Sequence, residues 1–211
     1  MSCPLCQKRK PKRFCPAAGE KICAVCCGTY REVTMDCPSD CPHLAAARRY
    51  DSEHRQALRP EEIPYPEIRV SPQRIAEREE VIVLAGRALA AAAHQLRATD
   101  ADAIAALAAM VETYRTLESG IYYERAPESH QARQLYAELA KTLADYKKAA
   151  AERIGFAALR DAEILELLVF LLRLAKRETS GRPRSRAFFD YLRATLGSPE
   201  PQAESSRILM P

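Results

Sequence analysis

Eight cysteines stand in the first 41 residues and none in the 170 that follow. Their spacing is Cys3-x2-Cys6, eight residues, Cys15, seven residues, Cys23-x2-Cys26, Cys27, nine residues, Cys37-x3-Cys41, with His43 just beyond. A C-x2-C pair sets two thiolates on one tight turn, so half of a tetrahedral metal site is preformed. Two such knuckles complete a four-sulfur site, assigned to Cys3, Cys6, Cys23 and Cys26. The remainder, Cys15, Cys27, Cys37 and Cys41, supplies four more thiols for a second site. The two sets interleave along the chain, and this predicts a cross-braced module holding two structural Zn2+ ions. The neighbours Cys26 and Cys27 can serve different ions if their segment is extended, because successive side chains then point to opposite faces.

Other chemistries of the same residues stay open: one zinc with spare thiols, His43 in place of Cys41, a redox or disulfide role for CAVC, or an iron–sulfur cluster. Redox C-x2-C motifs precede a strand–helix pattern that is not legible here. Eight sulfurs for eight coordination positions leave no open site, which favours structure over catalysis.

The stretch RFCPAAGEKICAVCC resembles the B-box zinc finger. That family shows a C-x2-C or C-x2-H pair, a Cys-x2-Asp pair, a second C-x2-C and two late His or Cys ligands. The fit covers about forty residues, a fifth of the chain. Ala18 stands where the family has Asp, and Cys37 and Cys41 stand where it usually has His. Cys27 is then the candidate for the missing ligand. The resemblance implies the same pairing of first and third knuckles, and a role in protein contacts and self-association. The chain as a whole is similar to uncharacterised bacterial zinc-binding helical proteins, a likeness that carries no activity.

Charge separates the two ends of the chain. Residues 1–59 hold 11 Lys/Arg against 6 Asp/Glu, and residues 60–211 hold 21 against 22. Much of the excess sits in KRKPKR: Lys8, Arg9, Lys10, Lys12 and Arg13. One reading is phosphate contact, in a nucleic-acid- or ribosome-associated factor. The other is local balance, since each four-thiolate zinc centre carries a net charge of about −2. A second basic run, Arg182, Arg184 and Arg186, opens a helix, where the macrodipole disfavours cations. It marks a phosphate, an acidic partner or a glutamate of another helix, or is merely solvated.

Forty residues with few apolar side chains (Leu5, Phe14, Ile22, Val25, Val33) cannot bury enough surface to fold unaided, so the metal must hold the module at residues 1–43. The elements beyond it read as helices. Pro42 suits a first helical turn, giving a connecting helix over 44–59. PEEIPYPEIRVSP makes 60–71 an extended, semi-rigid linker. Ser71 caps a helix that carries Ile75, Ile82, Leu89 and Leu96 on one seam to about Arg97. Thr99 or Asp100 opens a second helix, which ends at Gly120. A third runs from Pro127 to about Arg153, with a break at Gly155. A fourth, 157–176, is apolar nearly all round and should be the most buried. A short fifth covers 186–196, and 198–211 reads as a disordered tail. No run alternates at period two. The predicted class is all-α, a small zinc module followed by a bundle of about five helices over 72–197.

No apolar signal region opens the chain, and its longest apolar stretch, ILELLVFLLRLA (164–175), contains Glu166 and Arg173. These features predict a cytoplasmic protein with no membrane partner and with reduced thiols. The bundle offers no glycine-rich phosphate loop, no G-x-S-x-G and no paired Glu-x2-His, so the expectation is a non-enzymatic adaptor or scaffold. Its partner would be another protein or a second copy of the chain. An enzyme with its site in the bundle is the third reading. Tyr122, Tyr123 and Arg125, in SGIYYERAPES between two helices, either pack against the end of the bundle or are candidate partner contacts.

Overall fold

The computed structural model describes residues 2–120, 123–154 and 159–197. Among the described residues the regular structure is helical apart from one small hairpin, β1 (Arg13–Cys15) antiparallel to β2 (Glu20–Ile22). Period-two reading missed this hairpin because three-residue strands are too short to alternate. Then come α1 (Ala24–Tyr30), α2 (Pro42–Glu53), α3 (Pro72–Glu77), α4 (Glu79–Leu96), α5 (Asp100–Glu118), α6 (His130–Ile154), α7 (Asp161–Glu178) and α8 (Ala187–Leu196). The expected tail, the break at Gly155 and residue Tyr122 lie outside the described residues.

Local chemistry explains most of the ends. Pro42 opens α2, and the Ser71 hydroxyl caps α3 by accepting from Arg74 N. Thr99 and Asp102 cap α5 reciprocally. Gly120 follows α5 at φ 77°, a backbone conformation open to glycine at little cost. The predicted first bundle helix is interrupted at Arg78 (φ −116°, ψ 23°). Arg74, one turn before that break, and Arg78 at it both reach Glu163. Burial raises the Glu163 carboxyl, but the Arg160 backbone N–H and the guanidinium groups of Arg78, Arg74 and Arg160 outweigh it and hold the group below its ordinary range. α2 stops at Glu53, short of the expected end.

Helices α4 to α8 enclose one core, in which α4 packs on α6 and α8, and α5 on α6 and α7. α7 buries Ile164, Leu165, Leu167, Leu168, Val169, Leu171 and Leu172, residues on nearly every side of the helix. Gly86 lets α8 close on α4: a Cβ there would lie 2.5 Å from Leu196 Cδ1. The proline-rich segment between α2 and α3 is strapped to the bundle. Arg173 donates to the carbonyls of Pro64, Tyr65 and Ile68, at 3.1, 2.6 and 2.9 Å. Among the described residues no helix is long and apolar enough to cross a membrane.

Candidate metal centre

The N-terminal module has a second, separate core made almost wholly of sulfur. Cys3, Cys15, Cys23, Cys26 and Cys27 are buried around Ile22, with Cys6 and Met35 against them. The first knuckle is a turn closed by Gln7 N to Cys3 O at 2.7 Å, with Gln7 left-handed at φ 54°. Cys3 N donates to Arg9 O, so the basic loop folds back over the knuckle. The hairpin then returns the chain: Lys12 N donates to Ile22 O, which sets Cys23 beside the first turn. Cys23 is the N-cap of α1, its sulfur accepting from Cys26 N. Thus loop, hairpin and helix start each place part of one site.

The four sulfurs of Cys3, Cys6, Cys23 and Cys26 all lie within 4.8 Å of one another, a metal-binding arrangement. Cys6 Sγ and Cys23 Sγ are 3.9 Å apart. Metal–sulfur bonds of about 2.3 Å place tetrahedral sulfurs about 3.8 Å apart, so this spacing suits a zinc-sized ion. Backbone N–H groups of Lys8 and Arg9 bring the Cys6 thiol down to about 6. Burial pushes Cys3 up, but N–H donors from Cys23, Cys6 and Leu5 outweigh it and the net shift is downward. Cys26 is pushed up to about 12, first by burial and then by the three neighbouring thiols. Four thiols packed this closely cannot all ionise without a cation to balance their charge. The donor set therefore fits a closed thiolate site, with N–H···S bonds fixing the ligands.

Cys15, Cys27, Cys37, Cys41 and His43 line one small enclosed cavity below the hairpin. They are more loosely gathered. Among the described residues the group of ligand atoms mutually within 4.8 Å is the first set. All eight cysteines are free of disulfides.

The two basic runs have different surroundings. Lys8, Arg9, Lys10 and Lys12 are exposed and Arg13 is half-buried. Arg182, by contrast, donates to the carbonyls of Gly28 and Arg31, at 3.0 and 2.6 Å, at the C-terminal end of α1. Arg184 N donates to Glu32 O at 2.8 Å, while the Arg184 side chain is exposed. Arg186 pairs with Asp36. The partner of Arg186 is thus an aspartate of the N-terminal module, outside any helix, rather than a glutamate of another helix. Sequence reasoning missed its counterparts. Glu32, 2% exposed, is held by Arg48 of α2 and by the Ser180 hydroxyl. Arg48 also grips Asp190 of α8, which accepts from Ser39 as well. The signal was present in the acidic residues of REVTMD beside the cysteines, but only the fold pairs them with GRPRSR. Tyr123 is exposed, its carbonyl accepting from Thr116, and Arg125 is exposed.

No protein-family model, curated protein or solved structure matches the chain, so the reading of this centre rests on its own residues.

Proposed function

We propose that this chain is a non-enzymatic interaction protein whose zinc-held module is a recognition head docked on a helical scaffold. In this reading Cys3, Cys6, Cys23 and Cys26 hold one structural zinc. Cys15, Cys27, Cys37 and Cys41 hold a second, with His43 at the edge of the same cavity. The B-box resemblance agrees with both the interleaved ligand order and a role in protein contacts.

One observation carries the reading. Of the large apolar side chains left exposed among the described residues, Leu5, Phe14, Val25, Tyr30, Val33 and Tyr50 stand in or next to the module, against Leu84 and Tyr123 elsewhere. Exposed apolar side chains gathered in one region, with polar residues around them, are how partner-binding surfaces are built. A closed four-sulfur site leaves no position for substrate or water, which supports a structural metal.

The test is photocrosslinking of the full-length, metal-loaded chain in its own cells. A benzophenone amino acid at position 14 or 25 is expected to give discrete protein adducts, and one at position 84 none. Adducts from position 84 alone would move the recognition surface to the bundle and overturn the proposal.

A further inference from the structure

The head has two electrically different sides. Its carboxylates Glu32 and Asp36 face the bundle and are consumed there by Arg48, Arg97 and Arg186. The hairpin side carries Lys8, Arg9, Lys10, Lys12, Arg13 and Lys21. Among the described residues none of these six is in an ion pair. Glu20, at the start of β2, is the one carboxylate of the hairpin. Among the described residues the hydrogen bonds to the sulfurs come from backbone N–H groups and from other sulfurs, not from these six side chains.

Apolar side chains are interleaved with this charge. Each knuckle of the first site has the form Cys-x-apolar-Cys, Cys-Pro-Leu-Cys and Cys-Ala-Val-Cys. Leu5 and Val25 are 41% and 51% exposed. Because the four flanking sulfurs lie within 4.8 Å of one another, the turn bearing Leu5 and the helix start bearing Val25 sit side by side. Phe14, 55% exposed, lies opposite Lys21 in the hairpin register. The metal, the hairpin and the backbone bonds fix all of these positions before any partner arrives, so little ordering is required on binding.

We propose that this face binds an acidic protein segment that carries large apolar side chains; the inference rests on the recognition-head reading and names its partner class. The carboxylates of the segment meet the exposed cations Lys8, Arg9, Lys10, Lys12 and Lys21. Its apolar side chains cover Leu5, Val25 and Phe14 as the dry centre of the contact. Single-stranded nucleic acid fits less well, because base stacking needs aromatic platforms. The face offers one aromatic ring and two aliphatic side chains.

The experiment is a fluorescence-anisotropy titration of the full-length, zinc-loaded chain. The probe is a labelled 16-residue synthetic peptide alternating Glu pairs with Leu and Phe. The comparison probes are an all-Glu peptide, a Lys-for-Glu version and a 16-mer oligouridylate. The Glu/Leu/Phe peptide is expected to bind more tightly than any other probe, and more weakly as salt rises. Affinity is expected to fall about tenfold or more in the Lys8→Glu/Lys10→Glu double variant and in Phe14→Ser. Leu84→Ser should leave it unchanged. Zinc content measured on each variant shows that the head is still folded. Equal affinity across the folded variants, or tighter binding of the oligouridylate, overturns the inference. If residue 14 crosslinks to proteins in cells while the peptide does not bind, the partner class is wrong and the recognition head stands.

Discussion

Replacing Cys23 by serine, or stripping the metal with a chelator, is expected to unfold residues 2–41 and leave the bundle helical. The module has no conventional core to fall back on. Its buried hydrophobic residues are cysteines around a single isoleucine, whereas α4 to α8 share an extended core of Leu, Ile, Val, Ala and Phe. A structural zinc contributes about 10–16 kcal/mol of apparent folding free energy in domains of this size. Nothing else in the module approaches that figure, since burying one Ile22-sized side chain is worth about 1.5–3 kcal/mol. Cys23 is the costliest single ligand to lose. Its sulfur closes the first set and caps α1, and its backbone N–H donates to Cys3 Sγ at 3.3 Å. Hydrogen exchange should show peptides from 2–41 losing protection in the variant, with α4 to α7 unchanged. Residues 180–186 should also exchange faster, because their bonds to Gly28, Arg31 and Glu32 go with the module. Equal protection of 2–41 with and without metal would contradict the account.

The second large effect is expected at the junction of module and bundle. Arg48→Met leaves Glu32 buried without its cation; the Glu32 side chain is 3% exposed and that of Arg48 19%. Removing one partner of a buried ion pair typically costs about 3–5 kcal/mol, because the remaining charge is uncompensated. That is a large fraction of a total stability of about 5–15 kcal/mol. Ser180 still donates to Glu32 but brings no charge. Adding Glu32→Gln to Arg48→Met should restore part of the loss, and a double-mutant cycle in urea unfolding measures the coupling. Additive effects would mean that the pair does not join the two parts. Acid should loosen the same junction. Arg186 beside Asp36 holds that carboxyl below its ordinary value in the folded state. Its contribution is therefore present above the unfolded value and is lost as pH falls through the folded one, below about pH 4.

The sequence carried the parts of this picture that depend on neighbours along the chain. Cysteine spacing anticipated the grouping of Cys3, Cys6, Cys23 and Cys26. Ser71-Pro72, Thr99 and Gly120 marked three helix ends, and the apolar run after residue 163 marked the most enclosed helix. What it could not supply was pairing across distance. The break at Arg78 coincides with two arginines reaching Glu163, some 85 residues away. The run Arg182–Arg186 could not be matched to its acidic counterparts because Glu32 and Asp36 lie about 150 residues earlier. The hairpin escaped because its strands are held by the returning chain and the knuckles rather than by a β-forming pattern of their own.

The most direct test is the metal content and ligand shell of the full-length chain purified under reducing conditions. Elemental analysis combined with zinc-edge X-ray absorption should find two equivalents of zinc per chain in a shell of sulfur at about 2.3 Å. Less than one equivalent of zinc, or a shell led by oxygen or nitrogen, would contradict the claim that Cys3, Cys6, Cys23 and Cys26 close a structural metal site.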